Sequence, residues 1–170
     1  MKLFKSIRIT FLTAIAVLFA TGFAVAQAQP EILAGDTLKT IVPAGFYFAG
    51  QSAETQMRNS AAAKIGENRF IIVGLVDTSG YSTEISGQYE GFLITDSNIT
   101  IGGKKLATGA YGFGFSKDRV NVFDLSSKLI LSAPIKSDPD LRRPRPVMLT
   151  ADNKSVRLYK GKSYALITYK

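Results

Sequence analysis

The sequence predicts an all-β domain, an antiparallel sandwich or partly open barrel, lying behind an amino-terminal leader. Two observations carry the prediction. From residue 29 onward the chain is a succession of short β-branched and aromatic runs, each closed by Gly, Asn, Asp, Ser or Pro, and regular short spacing of this kind belongs to sandwiches and barrels. No stretch sustains a 3.6-residue apolar period long enough for a substantial helix.

The leader comes first. Lys2, Lys5 and Arg8 stand without an acidic residue, and no charge occurs from Ile9 to Ala26. A basic segment followed by an apolar run is the pattern of a secretory signal peptide. Small residues sit at the −3 and −1 positions in Ala24-Val25-Ala26 and again in Ala26-Gln27-Ala28. We take residues 1–28 as the signal peptide and 29–170 as one β domain, with a periplasmic or secreted location and no transmembrane segment in the mature chain.

Along the mature chain, strands are predicted near 38–42, 46–49, 69–76, 81–86, 91–95, 98–101, 111–115, 119–124, 128–132, 146–150, 155–159 and 163–169. Arg119-Val120-Asn121-Val122-Phe123 and Ser155-Val156-Arg157-Leu158-Tyr159 alternate polar and apolar side chains, as a strand with one buried face requires. Phe70-Ile71-Ile72-Val73-Gly74-Leu75-Val76 is apolar throughout and suits a central strand covered on both sides. Ser52 to Arg58 reads as a single helical turn.

Composition removes several chemistries. The chain has neither cysteine nor histidine, so no disulfide staples it, and the commonest general base and metal ligand near neutral pH are missing. No cofactor or metal is expected. Residues 29–170 carry 18 Lys/Arg against 13 Asp/Glu, a net charge of +5. That excess is uneven: residues 29–135 hold nine basic and ten acidic residues, whereas 136–170 hold nine and three. Electrostatic attraction is therefore expected at the carboxy-terminal end.

Several motifs invite a catalytic or nucleic-acid reading. Val76-Asp77-Thr78-Ser79-Gly80 follows an apolar strand as in an aspartic protease, but Ser79 displaces the glycine, and Asp96 has no glycine beside it. Both aspartates read better as turn residues whose carboxylates accept backbone N–H groups. Gly112-Phe113-Gly114-Phe115 copies the centre of an RNA-recognition octamer whose flanks are absent, and no nucleic-acid partner is expected. Gly102-Gly103-Lys104-Lys105 reads as a hairpin turn, because no helix follows to cradle a phosphate. Glu84 and Glu90 could pair for glycoside hydrolysis, but they read better as solvated positions beside the Gly87 turn. Ser127-Lys128 and Ser163 are candidates for serine–lysine catalysis.

Val42-Pro43-Ala44-Gly45-Phe46-Tyr47 and Leu106-Ala107-Thr108-Gly109-Ala110-Tyr111 share an aliphatic-x-x-Gly-x-Tyr pattern 64 residues apart. It is the pattern of a tight turn whose glycine takes a positive φ before a strand opened by a covering tyrosine. Two matched turns leave open both a duplicated hairpin and a recurring turn chemistry. The run from Ile101 to Phe113, with Pro43 to Tyr47, resembles the hairpin of uncharacterised exported β proteins of acidobacterial type, in which Gly-Lys-x-Leu-x-x-Gly-x-Tyr recurs. The resemblance implies an envelope β domain and transfers no catalytic residue.

The strongest functional signal is Leu141-Arg142-Arg143-Pro144-Arg145-Pro146, followed by Lys154, Arg157, Lys160 and Lys162. Prolines hold such a segment extended and keep it out of a central ladder. An exposed loop presenting three guanidinium groups attracts an anionic envelope polymer, a lipid surface or an acidic protein. The expected function is a non-catalytic structural or binding module with Arg142, Arg143, Arg145, Lys154, Arg157, Lys160 and Lys162 as its anion-binding surface. The alternatives are a hydrolase using carboxylates or a Ser/Lys pair, and a carrier of small apolar ligands.

Overall fold

The computed structural model describes residues 29–170. The expected leader, residues 1–28, lies outside the described residues. The described elements are β1 (Glu31–Leu33), α1 (Gly35–Ile41), β2 (Gly45–Phe48), β3 (Gln51–Gly66), β4 (Arg69–Val76), α2 (Thr83–Ser86), β5 (Gly91–Thr95), β6 (Ile99–Ile101) and β7 (Lys104–Leu106). They continue as β8 (Gly109–Phe115), β9 (Arg119–Phe123), β10 (Leu129–Pro134), β11 (Lys136–Ser137), β12 (Met148–Asp152), β13 (Ser155–Lys160) and β14 (Ser163–Tyr169).

They form two antiparallel sheets that do not close into a barrel, so the sandwich is the architecture. The large sheet runs β1-β3-β4-β5-β8-β9-β10, with β2 also on β3; the small one runs β12-β13-β14-β6-β7, with β11 on β14. Between them lies a core to which β4, β8 and β9 contribute Ile71, Val73, Phe113, Val120 and Val122, and β13 and β14 contribute Val156, Leu158, Ala165 and Ile167. Among the described residues no helix is long and apolar enough to cross a membrane.

The large sheet is buried on its second face as well, which explains the unbroken apolar run of β4. There Phe46, Phe48, Tyr81, Tyr89, Phe92 and Phe123 form an aromatic layer. Phe48 stacks on Tyr89 with centroids 3.9 Å apart, and Phe46 on Phe92 at 5.0 Å. The β2–β3 hairpin supplies Phe46 and Phe48 to this layer, and its tip is tied to the β9–β10 turn where the Ala49 N–H donates to the Leu125 carbonyl at 2.9 Å. β3 reaches both places because its pairing with β4 is interrupted between Thr55 and Ser60. Its first part pairs with β2 and its last part with β1.

Three predicted elements are corrected. The strand expected at 38–42 belongs mostly to α1, where Leu38 and Ile41, three residues apart, pack against the aromatic layer and Lys39 pairs with Asp36 at 3.0 Å. The strand expected at 81–86 is a turn followed by α2, at whose start the Ser82 hydroxyl oxygen accepts from the Ile85 N–H at 3.4 Å. Ser52 to Arg58, read as a helical turn, lies in β3, alternating between half-buried and exposed positions. Cross-strand packing overrides the local propensity of Ala, Glu, Gln and Met there. The short strands β1, β7 and β11, like β3, fall where no strand is predicted.

The Gly-Gly turn is a hairpin between β6 and β7, with φ of +52° and +86°. The two aliphatic-x-x-Gly-x-Tyr segments have different structures. Gly45 opens β2 after a helix, and Tyr47 is 55% exposed. Gly109 instead opens β8 at φ +158°, and Tyr111 folds back over it, its hydroxyl donating to the Ala107 carbonyl at 3.0 Å. A Cβ at Gly109 would stand 2.9 Å from that hydroxyl oxygen and 3.0 Å from the ring. Gly109→Val is therefore expected to cost about 1–3 kcal/mol as an overpacked position. A melting temperature equal to that of the wild type would contradict this assignment of Tyr111.

Candidate functional site

The anion-attracting residues named from sequence are divided by the fold. Arg142, Arg143 and Arg145 lie exposed in the irregular loop between β11 and β12. This loop is docked, because the Gly161 N–H in the β13–β14 turn donates to the Arg145 carbonyl at 2.9 Å. Lys162, in the same turn, is exposed and donates from Nζ to the Pro139 carbonyl at 2.9 Å. Lys154 sits in the β12–β13 turn, at the other end of the strand: Ser155 pairs with Thr168, Lys160 with Ser163. Six residues of strand place Lys154 roughly 20 Å from this group.

Arg157 is committed elsewhere. Its guanidinium bonds Asp152 at 2.8 Å and reaches Asp138 at 3.8 Å, while lying 4.9 Å from the centre of the Tyr164 ring. Tyr159 donates its hydroxyl to the same Asp138 carboxylate at 2.7 Å. Bonds from Arg157 to Tyr159 and Asp152 hold its pKa above the ordinary arginine value. The network pins the segment around Asp138 against the small sheet, which makes the guanidinium a structural cation.

Arg145 and Lys160 do converge, and the structure adds Lys117, which the sequence reading did not select. All three line an open cleft of about 660 Å³ at one end of the sandwich. The large sheet supplies Phe115 and the β8–β9 turn with Ser116 and Lys117; the small sheet supplies Lys160, Gly161 and Ser163. The arginine loop closes one side through Pro144, Arg145 and Pro146, and Ile135 lies in the wall. Cations thus stand beside an apolar surface, an arrangement that suits a ligand with an anionic and an apolar part.

No ion pair or side-chain hydrogen bond is formed by Lys117 or Arg145 among the described residues. Lys160 differs. Its Nζ pairs with Glu90 Oε1, and Glu90 is itself fixed to the large sheet: its Oε2 accepts from the Phe115 N–H at 3.1 Å, and its own N–H donates to the Phe113 carbonyl at 2.9 Å. Lys160 and Pro146 also border a smaller cleft of about 360 Å³ that contains Glu90, Gln56 and Ser86. Lys160 and Pro146 are therefore shared by two adjoining clefts, and Glu90 holds Lys160 from the side of the smaller one.

The remaining candidates fall into turns. Asp77 Oδ1 accepts from the Ser79 N–H at 3.0 Å, a bond that lowers its pKa. Asp96 Oδ2 accepts from the Phe70 N–H at 3.2 Å. Glu84 is exposed on α2, in surroundings unlike those of the Lys160-bound Glu90. Ser127 occupies the β9–β10 turn at φ +69°, and Ser163 lines the basic cleft. A wider cleft of about 1060 Å³ lies at the opposite strand ends, where Arg69 donates to the Lys170 carbonyl at 2.8 Å and Lys105 and Asn98 line the wall. Comparison with known protein families, with curated proteins and with solved structures finds no match to this chain.

Proposed function

We propose that the chain is an exported, non-catalytic binding module of the bacterial cell envelope, periplasmic or secreted, that holds an anionic envelope component at its basic end. The leader-like amino terminus supports export. The observation that carries the binding reading is the cleft in which Lys117, Arg145 and Lys160 stand together beside Phe115, Ile135, Pro144 and Pro146. A concave site lined by one sign of charge concentrates field lines and raises the local concentration of oppositely charged partners. Arg142, Arg143 and Lys162 extend that field along the rim.

The test is sedimentation with vesicles of phosphatidylcholine containing phosphatidylglycerol, and with lipopolysaccharide. Lys117→Glu combined with Arg145→Glu places two anions where the wild type has two unpaired cations, and is expected to abolish binding at low salt. Both positions are exposed, so the melting temperature should move by less than the equivalent of about 0.5 kcal/mol. Retained binding by the double variant, or wild-type binding indifferent to salt, would contradict the proposal.

A further inference from the structure

We propose that the cleft takes the phosphate of an anionic phospholipid headgroup, and that Glu90 is a built-in competing anion which this phosphate replaces on Lys160. The proposal rests on the anion-binding reading above and names its ligand class and its regulating residue.

The cleft's three cations are not equivalent. Lys117 and Arg145 have no side-chain partner among the described residues, whereas Lys160 Nζ is held by Glu90. Glu90 belongs to the large sheet and is anchored there through the Phe115 N–H. Lys160 ends β13 of the small sheet on a flexible four-carbon stem. Of the two partners, the lysine is the one free to swing. The pair is also open to solvent, the side chains being 42% and 26% exposed, so exchanging one anion for another on Lys160 leaves no charge buried without a partner.

The choice of ligand follows from the walls. Phosphate presents several acceptor oxygens, enough for Arg145 and two lysines at once. Phe115, Ile135, Pro144 and Pro146 offer an apolar surface beside those cations, which a free phosphate does not use and the first carbons of an acyl chain do. A volume of about 660 Å³ accommodates a headgroup with the start of its chains. On release, Lys160 returns to Glu90.

Neutralising Glu90 then frees Lys160 for the ligand. Glu90→Gln keeps an amide oxygen to accept from the Phe115 N–H but removes the competing charge. Binding is measured with the processed chain, residues 29–170, which contains every described element, on phosphatidylcholine vesicles with and without phosphatidylglycerol. Glu90→Gln is expected to tighten binding to the anionic vesicles by about three- to fivefold at low salt, the range set by a partly exposed ion pair. Lys160→Met is expected to weaken it by a similar factor. In a Lys160→Met background Glu90→Gln should have no further effect, since the coupling runs through Lys160. Melting temperatures of all variants are recorded, and Lys160→Met carries the test if Glu90→Gln fails to fold.

Wild-type and Glu90→Gln proteins that bind anionic vesicles equally well, or tightening that persists without Lys160, would overturn the role of Glu90. Inorganic phosphate that competes at concentrations matching the lipid phosphate would overturn the lipid assignment in favour of a free phosphate. Stronger binding to polyaspartate than to vesicles would overturn it in favour of an acidic protein. Absence of wild-type binding to every anionic probe would instead defeat the anion-binding function itself.

Discussion

Gly114→Ala is expected to lower stability by about 3 kcal/mol or more, the upper end of overpacking effects. Elsewhere in a strand the same change ordinarily gains about 0.5–1 kcal/mol, because alanine has less conformational entropy to lose. The sign reverses here because of what lies over the strand. Phe113 and Phe115 of β8 point towards the small sheet, one buried in the core and the other packed against it. The intervening positions, Gly112 and Gly114, face the aromatic layer. A Cβ on Gly114 would collide with the main-chain carbonyl of Gln88, and one on Gly112 with the Phe48 ring.

A backbone carbonyl has no rotamer in which to escape, and Gln88 is held where the Glu90 N–H meets the Phe113 carbonyl at 2.9 Å. At about 3 °C per kcal/mol for a domain of this size, the melting temperature of Gly114→Ala should fall by roughly 10 °C. Gly80→Ala is the control, since nothing lies within 4 Å of a Cβ there, and it should stay within about 0.5 kcal/mol of the wild type. Equal melting temperatures for the two variants would mean that the second covering layer of the large sheet is wrongly placed.

The second large effect is expected at the basic end. Replacing Arg142, Arg143 and Arg145 together with serine removes three exposed cations from one docked loop. Near an anionic membrane each contributes about 1 kcal/mol, so affinity for anionic vesicles should fall on the order of a hundredfold at low salt. Screening shortens the Debye length to about 3 Å at 1 M salt, where the wild type and the triple variant should converge. Lys154→Ser removes a cation from the same basic stretch of sequence but from the far end of the strands. Its affinity should change less than twofold, on the order of the few tenths of a kcal/mol expected for a charge well beyond the Debye length. A loss with Lys154→Ser equal to that from one loop arginine would show that total charge, and not the cleft, governs association.

Legibility in the sequence followed local pattern. β4, β5, β9, β13 and β14 announce themselves through unbroken or alternating apolar residues, each closed by turn chemistry. β3 does not. Its first half pairs with β2 through half-exposed polar residues, and its buried Ala61, Ala62 and Ala63 are helix formers by propensity, placed in a strand by their neighbours in the sheet. In Gly112-Phe113-Gly114-Phe115 the glycines and aromatics alternate as strand neighbours do, and only the fold shows that two different layers demand the two residue types.

The site divides in the same way. An exposed arginine loop is a local property and was visible in its prolines. Membership of the cleft is not local. Lys117 lies 28 residues before Arg145 in the chain and meets it only because β8 ends at the same edge of the sandwich as the β13–β14 turn, against which the Arg145 carbonyl is held. Arg157 and Lys160 belong to the same strand and carry the same charge, but one is tied to Asp152 and Asp138 and the other to Glu90. The spacing of basic residues does not distinguish them, because the difference lies in their partners: Asp152 is five residues from Arg157, whereas Glu90 is 70 residues from Lys160.

The most direct test of the account is a nuclear magnetic resonance titration of ¹⁵N-labelled residues 29–170 with short-chain phosphatidylglycerol, following every backbone amide. The account predicts shifts confined to Phe115, Ser116, Lys117, Arg145, Gly161 and Ser163, with Glu90 and Lys160 moving as their ion pair opens. Shifts centred on Lys154 and the opposite strand ends, or none at lipid concentrations that saturate vesicle binding, would contradict it.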